Sequence, residues 1–386
     1  MSGRAIYLDY HATTPVDPRV LQAMLPYFTE VFGNPASASH AFGWKAQEAV
    51  ETARRQVATL IGATAREIIF TSGATESNTF AIRGVSERAI TNRRRIVTSA
   101  IEHKSILEAF GRLAAQGWDT VIVPVDRGGR VKLDALERAV TPDTALVSVM
   151  AANNEIGAVQ PLEEIGRIAR AQGAVFHVDG AQAVGKVPID VNAMHIDLLS
   201  LTGHKMYGPK GCGALYIRKR TELIPLITGG GQERGMRAGT LNVPGIVGLG
   251  CACEICKKDM TEENARLRHL RDRLLHGITA GVDGVIVNGT LEHRLPHNLH
   301  VSFERVEGEK LLMGIGDIAV SSGSACQSAS GKPSHVLSAI WGDDAAVPSA
   351  SIRFGIGRHT TEDEIDYVIN KFTTVVRRLR ELAPVH

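Results

Sequence analysis

The feature that most constrains the fold is a regular alternation of short apolar runs with amphipathic helical patterns between residues 44 and 201. A helix from 44 to 61 has apolar residues at helical spacing and stops at Gly62. Strands are predicted at 67–71, 95–99, 120–125, 145–150, 174–178 and 196–201, and helices from about 72–75, at 104–115, 133–140 and 161–171. Such alternation predicts an α/β fold with a mostly parallel sheet and helices on both of its faces.

The pattern changes near residue 260. A long charged helix is predicted at 261–278, strands at 298–303 and 352–354, a loop rich in Ser and Gly at 319–333, and a closing helix at 362–382. A chain of 386 residues also favours two domains. We therefore expect a large domain over 15–260 and a smaller α+β domain built from 1–14 and 261–386.

Composition excludes several classes of function. The net charge of +2 gives no electrostatic basis for binding nucleic acid or an anionic membrane. No apolar run approaches the roughly 20 residues of a membrane helix, and no apolar signal core follows the first residues. Five cysteines are too few for a secreted disulfide framework. We expect a cytoplasmic protein.

Several polar side chains fall where predicted strands end: Thr75, Glu102, His103, Asn153, Asn154 and Asp179. Because ligands of such sheets bind outside the carboxyl ends of the strands, these side chains are expected to converge. The segment Gly180–Lys186 matches the start of a phosphate-binding P-loop, but Val187 stands where Ser or Thr should hold magnesium. A nucleoside triphosphatase is therefore rejected.

The segment Ser72-Gly73-Ala74-Thr75 is a better candidate anion site. A glycine lets the backbone approach closely, a helix N-terminus supplies free amides, and Thr75 adds a hydroxyl. An ordinary helix cap with a tight turn gives the same pattern, so this segment alone does not decide the matter.

Asp179 and Lys205 each follow an apolar strand and form the more informative pair. A buried lysine forms Schiff bases because desolvation lowers its pKa. A buried aspartate can pair with a protonated pyridine nitrogen, as the chemistry of pyridoxal 5'-phosphate (PLP) requires. Lys210 competes with Lys205 but lies in Gly208-Pro209-Lys210-Gly211, which is typical of a turn.

At this point the chain resembles the cysteine desulfurases of iron–sulfur cluster assembly and nitrogenase maturation, which are class V aminotransferase-like PLP enzymes. The resemblance spans nearly the whole chain in the right order. The segments that carry it are Tyr7–Pro15, Phe32–Pro35, Phe70–Glu76, Asn153–Gly157, Ser200–Gly211, Gly229–Gly235 and Ser321–Cys326. It implies PLP fold type I, the fold of aspartate aminotransferase, and a small domain that carries the catalytic cysteine loop at about 321–334.

The resemblance also implies roles for individual residues. The catalytic residues would be Cys326, Lys205 and His103, with Cys326 as the nucleophile that retains the sulfur of L-cysteine as a persulfide while alanine is released. Lys205 would hold PLP as a Schiff base. The other cofactor-binding residues would be Asp179 at the pyridine nitrogen, Gln182 at the phenolic oxygen, His103 stacked on the ring, and Ala74, Thr75, Thr202 and His204 at the phosphate. Asn154, Arg353 and Asn34 would bind substrate.

Thr240 matches a residue that this family lends to the phosphate of the partner subunit, which implies a homodimer. The expected partner beyond L-cysteine is a sulfur-acceptor protein such as an iron–sulfur scaffold. Cys251, Cys253 and Cys256 lie in a predicted helix, where Cys251 points away from the other two, so packing is favoured over a metal site.

Alternatives remain open at this stage. A selenocysteine lyase would be selective for selenium, and another aminotransferase would need no Cys326. A non-catalytic scaffold would bind no PLP. The chain ends soon after Pro384 and has Gln327 where the family commonly has Thr, and the sequence does not name the sulfur acceptor.

Overall fold

The structure, a computed structural model, describes residues 5–89, 93–322, 334–342 and 350–382. The strands are β1 (Ile6–Tyr7), β2 (Ile68–Thr71), β3 (Arg95–Ser99), β4 (Asp119–Val123), β5 (Thr144–Met150), β6 (Val175–Asp179), β7 (Leu198–Thr202), β8 (Gly213–Ile217), β9 (Val285–Val287), β10 (Asn298–Phe303), β11 (Ile318–Ala319), β12 (Ser321–Ser322) and β13 (Ala350–Gly355). The α-helices are α1 (Pro18–Met24), α2 (Pro26–Thr29), α3 (Ala41–Leu60), α4 (Ala74–Ala89), α5 (Lys104–Ala115), α6 (Leu133–Ala139), α7 (Leu162–Ala171), α8 (Val243–Gly281), α9 (Gly308–Gly314), α10 (His335–Trp341) and α11 (Glu362–Glu381). Single turns of 3-10 helix span Ala65–Glu67 and Gly203–Lys205, and a tight turn with positive φ at Glu233 and Arg234 spans Gln232–Gly235.

The central sheet has seven strands in the order β2-β8-β7-β6-β5-β3-β4. From β7 to β4 all neighbours pair in parallel, which confirms the predicted sheet type. The exception is β8, which is antiparallel to both β2 and β7. Only residues 203–212 connect β7 to β8, too short a segment for the helical crossover that a parallel pair needs.

Helices cover both faces of this sheet, as predicted. Every residue of β5 is buried, the pattern expected of a strand enclosed on two sides. Val57 of α3 and Ile165 of α7 belong to one apolar cluster. Phe80 of α4 and Phe110 of α5 belong to another.

A second, antiparallel sheet has the order β12-β13-β10-β9. Its apolar face packs in a separate cluster that includes Leu8, Leu270 of α8 and Phe372 of α11. Phe372 makes an edge contact with Phe354 at 5.0 Å between ring centroids. These separate clusters support the division of the chain at 15 and 260, which stays a proposal.

The helix predicted at 261–278 is confirmed, but it starts earlier than expected: it is continuous with the helix predicted around Cys251–Cys256, and α8 runs without a break from Val243 to Gly281. No Gly or Pro lies between Cys251 and His276 to interrupt it. Leu249 in its first half packs in the large-domain cluster, and Leu274 in its second half packs in the small-domain cluster. No helix among the described residues combines the length and apolar composition of a membrane span.

Close contact between α8 and α3 predicts opposite effects for two glycine-to-alanine substitutions. A Cβ added at buried Gly250 would lie 2.6 Å from the Cα of Ala53, so Gly250→Ala should destabilise the protein by about 1–3 kcal/mol. Exposed Gly111 on α5 has no atom within 4 Å of such a Cβ. Gly111→Ala should stabilise by about 0.5–1 kcal/mol through helix propensity. Urea unfolding of both variants checks this, and equal midpoints would contradict the packing of α8 on α3.

Candidate functional site

A cavity of about 780 Å³ lies at the carboxyl ends of β5, β6 and β7. Such a position is where ligands bind on open α/β sheets. The predicted site residues that line the cavity are Ala74, Thr75, His103, Asn154, Asp179, Gln182, Thr202, His204, Lys205 and Arg353. The sequence patterns therefore predicted side chains that the fold brings together from distant parts of the chain.

Three predicted site residues are not part of this group. Asn34 lines a different cavity with Arg54 and Glu233. Thr240 is exposed on the segment that precedes α8. Cys326 lies outside the described residues. The roles assigned to these three remain predictions.

Asp179 is the last residue of β6 and is buried. Its Oδ2 accepts a hydrogen bond of 2.8 Å from Nδ2 of Asn78, and its Oδ1 accepts one of 3.0 Å from the amide of Ala181. These two donors hold the carboxylate at the edge of the cavity. A carboxylate held in this way can bind a protonated ring nitrogen.

Lys205 ends the 3-10 turn that directly follows β7. Its Nζ donates to the backbone carbonyls of His11 and Ala12, the latter at 2.7 Å. Burial is the main cause that lowers the pKa of Lys205 to about 8, and the charge of Arg353 acts in the same direction. A larger fraction of this amine is therefore neutral near pH 7 than of an ordinary lysine, as a Schiff-base lysine requires.

The segment Ser72–Thr75 joins β2 to the N-terminus of α4 at the border of the cavity. Gly73 has φ of 150°, a backbone conformation that favours glycine. A Cβ there would lie 3.6 Å from Oγ1 of Thr202, so the loop passes close to that hydroxyl. Free amides at the N-terminus of a sixteen-residue helix, with two Thr hydroxyls beside them, suit a phosphate.

His204 also borders this part of the cavity. Its Nδ1 lies 3.1 Å from Oγ1 of Thr13. Burial, together with the charge of Lys205, lowers the pKa of His204 to about 4. The imidazole is therefore neutral at pH 7 and can serve as a hydrogen-bonding partner rather than as a cation.

His103 caps the N-terminus of α5, where its Nδ1 accepts a hydrogen bond of 3.2 Å from the amide of Ser105. Because Nδ1 is the acceptor, the neutral ring carries its proton on Nε2. Burial lowers the pKa of His103, against the opposing charge of Asp179. A neutral imidazole at the edge of the cavity is able to take up a proton.

Arg353 reaches the cavity from β13 of the second sheet. Its Nη2 donates to Oδ1 of Asp9 at 2.7 Å and to Oγ of Ser321 at 3.0 Å. Its Nη1 donates to the backbone carbonyl of Asn154 at 3.0 Å. Its Nε is buried and has no partner among the described residues.

Further polar residues line the cavity although no role was predicted for them, among them Asp9, His11 and Asn78. Asp9 and His11 belong to the Tyr7–Pro15 motif, so the motif itself was a signal for both. Asn78 follows Ala74 by four residues on α4, and that spacing places both on the same face of the helix. Its position could have been found from the helix N-terminus predicted at 72–75.

A sequence model of the family described as Aminotransferase class-V matches residues 6–368. The chain belongs to the class V aminotransferase family. A relative named Cysteine desulfurase IscS, from Anaeromyxobacter sp. (strain K), is 55% identical over 383 residues, which cover 99% of this chain and 95% of the relative. A human relative named Cysteine desulfurase is 52% identical over 384 residues, covering 99% of this chain and 84% of the relative. A solved structure described as a NifS-like protein superimposes with a TM-score of 0.90 at 41% identity, covering 97% of this chain and all of that one.

These matches confirm the predicted fold and the resemblance to cysteine desulfurases. PLP is the cofactor of the class V family, and the cavity fits it. A lysine with a lowered pKa, a fixed carboxylate and a helix N-terminus with hydroxyls correspond to the aldehyde, the pyridine nitrogen and the phosphate of PLP.

The lowered pKa of Lys205 predicts the pH dependence of PLP incorporation. Only the neutral amine attacks an aldehyde, so the rate constant for PLP binding to the apoprotein should rise with pH and level off above about 8. Stopped-flow absorbance across a pH series measures this rate. Arg353→Gln removes a charge that lowers the pKa of Lys205, so it should move the midpoint upward. A wild-type rate still rising at about pH 10 would show that Lys205 titrates as an ordinary lysine.

Proposed function

We propose that this chain is a PLP-dependent cysteine desulfurase that converts L-cysteine to L-alanine and retains the sulfur as a persulfide on Cys326. The observation that carries the proposal is that Lys205, Asp179 and Arg353 face one cavity. They provide a reactive amine, a carboxylate for a ring nitrogen and a guanidinium for a substrate carboxylate. Full-length relatives at 55% and 52% identity bear the name cysteine desulfurase.

Different residues around the cavity would bind different parts of the cofactor. Lys205 would bind it covalently through Nζ, and Asp179 would pair with the pyridine nitrogen. Gln182 would donate to the phenolic oxygen and His103 would lie against the ring. The segment at Ala74 and the side chains of Thr75, Thr202 and His204, which line the same cavity, would hold the phosphate.

PLP, when bound, supplies an electron sink for bonds broken at the substrate carbons. Lys205 would take the proton from the substrate Cα and return a proton as alanine forms. His103, with its lowered pKa, is a second acid/base group at the edge of the cavity. Arg353 would orient the substrate carboxylate through its guanidinium, which the backbone carbonyl of Asn154 helps to hold in place. Asn34 is assigned a supporting role in substrate binding.

Cys326 is the proposed nucleophile because the four described cysteines do not suit the task. Burial raises the pKa of Cys212 to about 12 and raises those of Cys251, Cys253 and Cys256 as well. A thiol with a raised pKa supplies little of the thiolate that acts as nucleophile. The described residues also contain no group of three or more His, Cys, Asp or Glu arranged to hold a metal ion.

Residues on both sides of Cys326 in sequence support its access to the cavity. Ser321 lines the cavity and its Oγ donates to Oδ1 of Asp9 at 2.9 Å. Cys326 follows Ser322 by four residues in sequence, a stretch of chain that can span at most about 14 Å. On the other side, Oγ of Ser334 donates to Oε2 of Glu155 at 2.5 Å.

The proposed sulfur transfer balances without an external oxidant. The thiolate of Cys326 attacks Sγ of the substrate, and the substrate Cβ–Sγ bond breaks as the new S–S bond forms. The electron pair of the broken bond stays with the substrate carbon, which takes a proton to become the methyl group of alanine. The terminal sulfur then passes to an acceptor protein, such as an iron–sulfur scaffold. Activity in the cytoplasm is part of the same proposal.

Substitution of Cys326 tests the proposed function directly. The wild-type protein, incubated anaerobically with L-cysteine and a thiol reductant, should release alanine and sulfide in equal amounts. Cys326→Ser should reduce both by at least about 100-fold while the visible absorbance of bound PLP is retained, because only the nucleophile is lost. Cys251→Ser, which changes a half-buried cysteine of α8, is the matched control and should keep full activity.

Other outcomes point to the alternatives. Transamination without alanine release, or a Cys326→Ser variant as active as the wild type, would overturn the proposed chemistry. A wild-type protein that binds no PLP would favour a non-catalytic scaffold. Turnover of L-selenocysteine with no turnover of L-cysteine would identify a selenocysteine lyase.

A homodimer is part of the proposal. Exposed apolar side chains cluster near the N-terminus: Phe28, Phe32, Phe42 and Trp44 are each more than half exposed. Phe32 and Phe42 are in ring contact at 5.5 Å between centroids. Large exposed apolar patches mark protein–protein interfaces. Nearby, Asn34 shares a cavity with Leu241, next to Thr240, so this surface adjoins the residue assigned to the partner subunit.

Mixed dimers test whether Thr240 serves the partner subunit. If it does, a dimer of one Lys205→Ala chain and one Thr240→Arg chain contains one fully intact site, so activity reappears although both parent dimers are inactive. The measurement is alanine formation by dual-tagged, co-expressed dimers, with each parent dimer as control. A mixed dimer as inactive as its parents would place Thr240 in its own subunit's site.

A further inference from the structure

His11 is a buried histidine beside the cavity to which neither the motifs nor the proposed mechanism assign a task. Its side chain is 1% exposed. Nδ1 lies 3.1 Å from Oε1 of Gln182, and Nε2 lies 3.0 Å from Nδ2 of Asn298. The backbone carbonyl of His11 accepts hydrogen bonds from Nε2 of Gln182 at 3.0 Å and from Nζ of Lys205.

The direction of these hydrogen bonds is set by Arg294. A guanidinium only donates, so the atom of Asn298 that lies 3.0 Å from Nη1 of Arg294 must be the amide oxygen. The Nδ2 of Asn298 then points to His11 and also donates to the backbone carbonyl of Glu155 at 3.0 Å. Two contacts, one on each side of the amide, therefore give the same orientation for Asn298.

The orientation of Asn298 fixes the proton on His11. Because Asn298 donates to Nε2, the neutral ring carries its hydrogen on Nδ1 and donates it to Oε1 of Gln182. The amide nitrogen of Gln182 is then the atom that donates to the carbonyl of His11. An amide nitrogen has two hydrogens, so one remains for a ligand in the cavity that Gln182 lines.

The surroundings of His11 also keep its ring neutral. The ring stacks on that of His297, with centroids 4.4 Å apart. Burial is the main cause that holds the pKa of His11 well below its ordinary value, and the charges of Arg353, Lys205 and Lys186 act in the same direction. No second tautomer fits, since a proton on Nε2 would face the Asn298 donor.

We propose that His11 is a positioning residue that holds the amide nitrogen of Gln182 toward the phenolic oxygen of the cofactor. Gln182 and Lys205 donate to the same carbonyl oxygen, that of His11. The phenolic oxygen of PLP is adjacent on the ring to the aldehyde that binds the lysine. A donor held beside Lys205 is therefore placed for that oxygen. The proposal rests on the proposed function, since it requires PLP in this cavity.

His11→Phe is the first test, because phenylalanine keeps a ring to stack on His297 and leaves the backbone carbonyl in place. A donor to the phenolate stabilises its negative charge most when the Schiff-base nitrogen has lost its proton. Misorientation of Gln182 should therefore raise the pH midpoint of the visible absorption change of bound PLP by about 0.7 unit, the equivalent of one hydrogen bond. The dissociation constant of PLP should rise about 5-fold.

A second variant and a coupling test distinguish positioning from a general structural role. Asn298→Asp presents an acceptor to Nε2 of His11, which reverses the tautomer, and should shift the absorption midpoint in the same direction. In a Gln182→Ala background, His11→Phe should add no further shift, because His11 acts through Gln182. His297→Phe keeps the stacking and is the control, with a wild-type midpoint expected. Thermal melting of each apoprotein reports on folding.

The outcomes separate this inference from the proposed function. If folded His11→Phe and Asn298→Asp proteins both keep the wild-type midpoint, or if the shift from His11→Phe persists in the Gln182→Ala background, the positioning role is overturned. If the wild-type protein binds no PLP, the proposed function itself fails.

Discussion

The cavity at the edge of the large sheet depends on Arg353, an arginine that belongs to the small sheet. Arg353 belongs to β13 of the small antiparallel sheet, yet its guanidinium contacts Asp9 and Asn154 at the cavity of the large parallel sheet. Pairing with Asp9 at 2.7 Å offsets part of the cost of burying the charge. The same charge lowers the pKa of both Lys205 and His11. A side chain of the small sheet therefore influences the protonation state of the reactive amine in the large domain.

Two features of the fold keep Arg353 in place. The N-terminal segment crosses between the sheets: Leu8 packs in the small-domain cluster, while the carbonyls of His11 and Ala12 accept from Lys205. Helix α8 joins the two apolar clusters along its length. A helix without Gly or Pro in its middle is stiff, so α8 fixes the distance between the two apolar clusters.

Much of this arrangement could be predicted from local sequence. The alternation of strands and helices predicted the parallel sheet, because the spacing of apolar residues and the length of each segment can be read from that segment alone. Polar residues at strand ends, such as Asp179 and Lys205, could be predicted for the same reason. The antiparallel strand β8 could have been predicted from its short connection, but the unbroken course of α8 depends on two cores that local patterns do not show.

Asp9, His11 and Asn298 could not be given roles, because their partners lie far away in sequence: Arg353 for Asp9, and Gln182 for His11.

The histidines around the cavity are neutral, so they can exchange protons or orient neighbours without adding positive charge. Burial lowers the pKa of His11, His103 and His204, so all three are neutral at pH 7. The cationic side chains that line the cavity are then Lys205, Lys210 and Arg353. A neutral histidine meanwhile stays able to accept a proton, and one fixed in a single tautomer stays able to orient its neighbour. Desolvation thus produces a nucleophilic lysine and neutral imidazoles together, because it disfavours the charged form of both.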